Sequence, residues 1–458
     1  MFQKIYTNSP VFIQNAIISM YGYYWKNRRF GGCFNKKLDD FNGRVNYTKN
    51  EWDNFQLKEL RRLLIHAFTS VPFYEELYTK HGFSIKDFEL FKIEDLKKLP
   101  YLEKDDLRKF GTSTLLSNKR KRGNFYNSSG STGTPTKIFF SKEFHQTWSA
   151  LYESRVRTWA GVNYKMPRAM IGGRRIILDP LSKPPFHRYN MAENQAYFSA
   201  YHISERAVDD YLEGLIKSKS KYLVGYAMSI HILSNMIVKK NLKAPKLKAV
   251  LTSSEKLTDT MRRNIENVFN CKVFDAYSGV EACGLISENS YGELLFSPDS
   301  GIMEVLDDKG MPVENGMSGE VIATGFLNYD QPLIRYRIGD CVKLSRNQNS
   351  ISGIEMPIIE EIEGRIEDVV IGSDGQEMVR FHGVFIGIDS IIMAQLIQKS
   401  LKLIIIKLVV ENSYSTENEL EMVKRIKSQL GDVEIRFKYV DKIEKDKNGK
   451  YKAVISKL

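Results

Sequence analysis

Cysteine is scarce and unpaired in this chain of 458 residues: Cys33, Cys271, Cys283 and Cys341 show no CxxC spacing. That argues against a disulfide scaffold and against a structural zinc site, and it suits a reducing cytoplasm. Long apolar runs are also missing. No segment approaches the roughly twenty uninterrupted apolar residues of a membrane-spanning helix. There is no nucleophile elbow, no HExxH and no paired Cys/His arrangement, so covalent catalysis by the protein is not indicated. The seven histidines do not cluster. Internal repeats and low-complexity tracts are absent.

What is present describes an ordinary globular protein, with 42% hydrophobic and 27% charged residues. The length exceeds one simple core, so two or three domains are expected. The net charge of +12 suits anionic partners. Nucleic acid is not expected, because no basic stripe with interleaved aromatic residues occurs. The one dense cluster, Lys119-Arg120-Lys121-Arg122, reads as a solvated loop that could also draw a polyanion to its neighbourhood. Near the start, Val11 to Trp25 is apolar and aromatic and is followed by Lys26, Arg28 and Arg29. Without a leading basic region or a small-residue cleavage site it makes a poor signal peptide. Two readings stay open: a helix docked on the protein's own core, which is favoured, and a helix lying on a membrane surface.

Periodicity divides the chain. Phe55, Leu57, Leu60, Leu63, Leu64, Ala67 and Phe68 recur at helical spacing, so a helical lead-in is expected over about 1–110. From about 138 to 340 short β-rich runs alternate with helical patterns. Lys248 to Thr252 is one expected strand, Thr258 caps a helix carrying Met261, Ile265, Val268 and Phe269, and Lys272 to Asp275 is the next strand. A second unit is expected from Gly364. In it Leu401 to Val410 reads as a buried strand, Thr416 and Glu419 as a capping box, and Leu420, Val423, Ile426 and Leu430 as a helix stripe ended by Gly431. Val433 to Val440 reads as a further strand.

The densest chemistry lies in Asn127-Ser-Ser-Gly-Ser-Thr-Gly-Thr-Pro-Thr-Lys137, just ahead of Ile138-Phe139-Phe140. Glycines let backbone N–H groups turn inward and hydroxyls add donors, so such a loop can wrap a polyphosphate. It is not a Walker A loop, since no Gly-Lys-Ser/Thr follows a four-residue gap. Taken alone it could equally be a flexible polar turn.

Five further motifs follow in order: Leu99-Pro-Tyr-Leu-Glu-Lys-Asp-Asp-Leu-Arg108 upstream, then Thr252-Ser-Ser-Glu255, Asp275-Ala-Tyr-Ser-Gly-Val-Glu281, Arg335-Tyr-Arg-Ile-Gly-Asp340 and Glu363-Gly-Arg-Ile-Glu-Asp368. Asn448-Gly-Lys450-Tyr-Lys452 stands near the C-terminus. With the glycine loop, this series resembles the adenylate-forming superfamily of acyl-CoA synthetases, peptide-synthetase adenylation domains and luciferases. Leu99 to Arg108 narrows the resemblance to the phenylacetate–CoA ligase-like branch. Pro185 to Tyr189, Tyr197 to His202 and Val224-Gly-Tyr226 look most like members from capsule and O-antigen gene clusters, often called coenzyme F390 synthetase-like.

The resemblance implies an α/β fold with a large N-terminal ATP- and carboxylate-binding domain, residues 1–363, and a small mobile α+β lid domain, residues 364–458. It implies that Ser128, Ser129, Gly130, Ser131, Thr132, Gly133, Thr134 and Lys137 cradle phosphates. Ser253, Ser254 and Glu255 would lie beside adenine together with Ala276, Tyr277 and Ser278. Glu281 would hold Mg²⁺, Asp340 the ribose hydroxyls, and Arg365 ribose or phosphate. Lys450, Thr132 and Glu281 would be catalytic, and His202, Tyr226 and Ala227 would border the acyl pocket. Three positions depart from the family pattern. Val280 replaces a hydroxyl residue near the α-phosphate, with Ser278 or Thr132 as substitutes; Glu367 stands where the hinge acid is usually Asp; Lys452 stands where arginine is common.

The implied reaction is ATP-dependent activation of a small-molecule carboxylic acid as acyl-AMP, with ATP and Mg²⁺ required. Acyl transfer would follow, to coenzyme A or to an amine or hydroxyl on a sugar or lipid-linked glycan, in surface polysaccharide biosynthesis. Two alternatives are an AMP transferase and a non-catalytic nucleotide-binding homologue. A cytoplasmic location is expected, with peripheral contact at the inner membrane as the variant.

Overall fold

The computed structural model describes residues 6–127, 136–172, 176–177, 183–200, 202–365, 370–372, 377–378, 384–385, 388, 390–444 and 452–458. The chain forms two compact units, residues 1–338 with 343–361 and residues 339–342 with 362–458. The larger is mixed α/β and the smaller α+β, the fold class expected from the sequence.

The lead-in is helical as read. Thr48 and Glu51 form a capping box, Glu51 N–H donating to Thr48 Oγ1 at 3.3 Å and Thr48 N–H to Glu51 Oε2 at 2.8 Å. The helix so started, Lys49–Ser70, buries Leu60, Leu63, Leu64 and Ala67, and also Trp52, which the apolar count left out. Pro72 opens the next helix, Pro72–Lys80, where its missing N–H costs nothing.

At the centre of the larger unit five strands run parallel, in the order Lys272–Tyr277, Ala249–Ser253, Tyr222–Gly225, Arg168–Gly172 and Gln195–Ser199. They belong to a twelve-stranded sheet whose remaining pairings are largely antiparallel, with His187–Asn190 at one edge. The strand–helix–strand reading holds, with the first strand one residue later than expected and the second running two residues further, to Tyr277. Ala249–Ser253 leads to helix Asp259–Phe269, whose N-cap Thr258 accepts Met261 N–H at 3.3 Å. Met261, Ile265 and Phe269 are its buried face.

Helix Val11–Phe30 docks on the protein largely through its polar side, with Trp25 and Phe30 near its end packed on His145 and Tyr164, at 5.0 and 4.2 Å between ring centroids. Gln14, Ser19, Gly22 and Arg28 are its buried residues. The reason is the sheet edge it covers, whose outward N–H groups need acceptors. Tyr189 N–H donates to Asn15 Oδ1 at 2.9 Å and Met191 N–H to Ser19 Oγ at 3.0 Å, while Gln14 Oε1 accepts from Arg188. Beyond the edge, Arg28 Nη2 donates to Phe140 O at 2.7 Å.

The smaller unit has a four-stranded sheet in the order Glu434–Tyr439, Leu403–Val410, Ile391–Ser400, Val454–Ser456, with helix Thr416–Leu430. Three sequence expectations need correction here. Leu403–Val410 is buried on one face only, through Ile404, Ile406 and Leu408, because its continuous apolar run masks an alternating pattern. The helix cap is Ser415 with Asn418, not Thr416 with Glu419: Ser415 N–H donates to Asn418 Oδ1 at 3.0 Å. Met422, Ile426 and Leu430, four residues apart in turn, form the buried stripe, and Leu420, about 120° from Ile426 around the helix, is 66% exposed.

Candidate active site

Parallel strands end on the same side of a sheet, so their following turns come together. Gly225 pairs with Thr252, and Ser253 with Ala276. The turns after Gly225, Ser253 and Tyr277 are therefore neighbours along one rim. Gly225 is needed where it stands: a Cβ there would collide with Ile171 O, the same carbonyl that accepts Tyr226 N–H at 3.2 Å. Tyr226 is the N-cap of helix Ala227–Lys239 and supplies no side-chain cap. Glu255 supplies an acceptor instead, its Oε2 taking Met228 N–H at 3.0 Å. This contact ties the turn at 252–255 to the start of the helix that carries Ala227, which is fully buried. Within that turn Ser254 adopts φ of 69°, a left-handed conformation uncommon outside glycine.

At the next turn, Asp275 accepts from Thr252 Oγ1 at 2.8 Å. Burial nevertheless lifts its carboxyl to about 6, with the Glu288 carboxylate adding to the rise. Ala276 is buried, whereas Tyr277 and Glu281 are half-buried and line one pocket with Gly279, Cys283, Ile286 and Phe296. A Cβ on Gly279 would strike the Glu281 carboxylate, so the glycine lets that side chain fold back over the turn. Ser278 Oγ donates to Gly279 O at 3.1 Å, and Val280 points outward, 36% exposed. Among the described residues no group of three or more His, Cys, Asp or Glu side chains could hold a metal ion. A lone carboxylate such as Glu281 fits Mg²⁺ that takes most of its other ligands from phosphate and water.

The remaining expected site residues are placed separately. Residues 128–135 lie outside the described residues, which covers Ser128, Ser129, Gly130, Ser131, Thr132, Gly133 and Thr134. An antiparallel ribbon, Gly123–Asn127 with Lys137–Ser141, brackets the loop, and Asn127 pairs with Lys137, which is exposed. Asp340 is half-buried on strand Tyr336–Leu344, and Arg365 ends strand Ile358–Arg365. Lys450 lies outside the described residues. His202 is buried, stacks on Phe186 at 4.8 Å and shares a 2.7 Å hydrogen bond with Ser199 Oγ.

Two bracing devices escaped the sequence reading. Gln331, fully buried, accepts Phe139 N–H at 2.7 Å and donates to Gly111 O at 2.7 Å, while Asn328 Nδ2 donates to Phe139 O at 3.0 Å. These amides anchor the ribbon whose strands flank residues 128–135 in the sequence. The Leu99 to Arg108 motif in turn braces Arg335 to Ile338. Leu102 N–H donates to Arg335 O and Arg337 N–H to Leu102 O, each at 3.1 Å. Arg335 is pinned by both Glu304 oxygens, at 3.0 and 2.9 Å, and lies over the Tyr101 ring at 4.3 Å. Isolated glutamines carry no sequence signal, but the Leu99 to Arg108 motif was visible and lacked only its partner.

This architecture is that of the adenylate-forming enzymes. A 2-hydroxyisobutyryl-CoA ligase, solved in the postadenylation state with R3-HIB-AMP, matches over 90% of this chain and 91% of its own, with a TM-score of 0.71 and 18% identity, a likeness of fold. The chain is similar in sequence to members of the adenylate-forming superfamily, on the phenylacetate–CoA ligase-like branch and to CapK in particular. Protein CapK of Staphylococcus aureus is 27% identical over the full length of both chains. A phenylacetate–coenzyme A ligase of Pseudomonas putida is 26% identical over 69% of this chain and 71% of its own. Residues 370–457 match the family described as the CapK C-terminal domain.

Proposed function

We propose that this adenylate-forming ligase activates a small carboxylic acid as its acyl-AMP and then passes the acyl group to an acceptor. The observation that carries the reading is the rim formed by the turns after Gly225, Ser253 and Tyr277, with Tyr277 and Glu281 lining one pocket beside it. A carboxylate oxygen of the acid attacks the α-phosphorus of ATP, the bond to the bridging oxygen breaks and pyrophosphate leaves. Two anions must approach, so the chemistry depends on fixed donors and cations aimed at the developing charge. Lys137, the 128–134 loop and Lys450 supply them, Tyr277 stacks on adenine, Asp340 accepts from the ribose hydroxyls, and Arg365 contacts ribose or phosphate. Mg²⁺, when bound, offsets triphosphate charge, and Glu281 is the residue that would hold it. His202, Tyr226 and Ala227 border the acid.

In the second half-reaction the thiol of coenzyme A attacks the acyl carbonyl and AMP leaves, after the smaller unit has carried Lys450 away. The relatives' names support coenzyme A as acceptor. An amine or hydroxyl of a sugar or lipid-linked glycan, in surface polysaccharide biosynthesis, is the variant favoured by the capsule-cluster motifs. The test is pyrophosphate release over a panel of carboxylic acids, followed by coenzyme A, amines and sugars as acceptors. Release that depends on an acid supports the reading. Release that depends on an acceptor and needs no acid defines an AMP transferase, and no release with any acid defines a binding protein.

Two substitutions bear on the roles assigned. Glu281→Gln removes one negative charge from a hard-cation site. The magnesium concentration for half-maximal activity is expected to rise about tenfold, at about 1.4 kcal/mol per decade. An unmoved titration would make Glu281 structural. Glu255→Ala removes the acceptor at Met228 N–H, a loss comparable to a helix cap at about 1 kcal/mol. The KM for the acid is expected to rise about fivefold, with Glu255→Gln recovering most of it. If the KM for ATP rises instead, the carboxylate serves the nucleotide.

A further inference from the structure

Helix Val11–Phe30 keeps an apolar face that its docking leaves uncovered. Phe12 is 73% exposed, Met20 70% and Tyr23 67%, and Ile13 and Tyr24 lie on the same face. At 100° per residue these five side chains fall within about a third of the helix circumference. Met191, 63% exposed, lies beside this helix, its N–H bonded to Ser19. The polar side chains that would ordinarily face water are spent on the sheet edge. An exposed contiguous apolar face of this size marks an interaction surface.

Charge indicates what covers it. From residue 1 to Leu38 the sequence contains no Asp or Glu; Arg28 is buried and Arg29 is paired with Glu193, which leaves Lys4, Lys26, Lys36 and Lys37 as the flanking cations. Lys26 and Lys36 are exposed. Two copies meeting through this face would bring two such cationic segments together, which opposes self-association. A bilayer with anionic headgroups satisfies both features. It accepts Phe, Ile and Met below the headgroups, seats tyrosine rings at the interface and attracts the flanking cations. No helix among the described residues is long and apolar enough to cross a membrane.

We propose that the outward face of Val11–Phe30 seats the protein on the surface of an anionic membrane, lying in the headgroup region without crossing it. The proposal stands independently of the acid-activating reading. It places the enzyme where a membrane-anchored acceptor would be within reach.

The test is flotation of the full chain with vesicles of phosphatidylcholine alone and of phosphatidylcholine with phosphatidylglycerol. Binding is expected with the anionic vesicles, and salt is expected to weaken it. Phe12→Ser, Met20→Ser and Tyr23→Ser combined should weaken it by about a hundredfold or more, since each side chain is worth roughly a factor of ten on leaving water. All three are largely exposed, so circular dichroism and thermal unfolding should match the parent. Lys26→Glu with Lys36→Glu should weaken anionic binding and leave the fold intact. The proposal is overturned if the parent fails to float with anionic vesicles, floats equally with neutral ones, or floats unchanged as the triple variant. It is also overturned if the parent forms a dimer in solution that the triple variant abolishes, which would make the face a contact between copies.

Discussion

Replacing Lys450 by alanine is expected to lower acid-dependent ATP–pyrophosphate exchange by about a thousandfold, while ATP binding changes by less than about twofold. The two effects separate because a cation aimed at the charge developing on the α-phosphoryl group acts on the transition state and hardly on the bound substrate. Transfer from chemically supplied acyl-AMP should survive in the same variant, because in the proposed cycle that step follows the departure of the lysine. Exchange and transfer measured on one preparation check both halves. Loss of both together would point to a folding defect, and exchange at the parental rate would remove Lys450 from the mechanism.

Asp299→Ala is expected to destabilise the larger unit by about 3–5 kcal/mol. The Arg155 and Asp299 side chains are fully buried and bonded, Nη2 to Oδ2 at 2.9 Å. Arg44 Nε reaches the same oxygen at 3.3 Å, and Arg155 Nη2 also donates to Phe41 O at 3.0 Å. Burial pulls the Arg155 guanidinium down from its ordinary range, and Asp299 counters that pull. Removing the carboxylate therefore leaves a buried cation without its counter-charge. Urea unfolding followed by tryptophan fluorescence would read the loss. A change below about 1 kcal/mol would place the pair with surface ion pairs.

The parts of the fold that the sequence revealed were those fixed by local chemistry. Helical spacing in Leu60, Leu63, Leu64 and Ala67, and the cap at Thr258, are properties of neighbouring residues, and both took the expected form. The corrections came where neighbouring residues offer the same local signal. Ser415 and Thr416 are both competent caps, and Leu420 and Met422 both apolar, and in each pair the structure takes the one that the sequence reading passed over. The N-terminal helix was harder to read. Its apolar residues predicted the docking side by the usual rule, but the unpaired edge of His187–Asn190 demanded acceptors and reversed it. At the candidate site, the turns holding Tyr277, Glu281 and Glu255 were legible as motifs because strand ends and glycines mark them. Glu255 taking Met228 N–H was not legible, since it joins turns 27 residues apart. The anchoring amides Gln331 and Asn328 were invisible for the same reason.

The central claim is that a carboxylate oxygen of the acid becomes bonded to the α-phosphorus of ATP. The most direct measurement supplies the acid with heavy oxygen in its carboxylate and determines the mass of the AMP released after acyl transfer. Cleavage of the acyl–oxygen bond by the acceptor leaves that oxygen on phosphorus, so AMP is predicted to carry a single heavy atom for each turnover. AMP that forms in an acid-dependent reaction yet carries no heavy oxygen would contradict the account, because the acid would then not have been activated as an acyl-AMP.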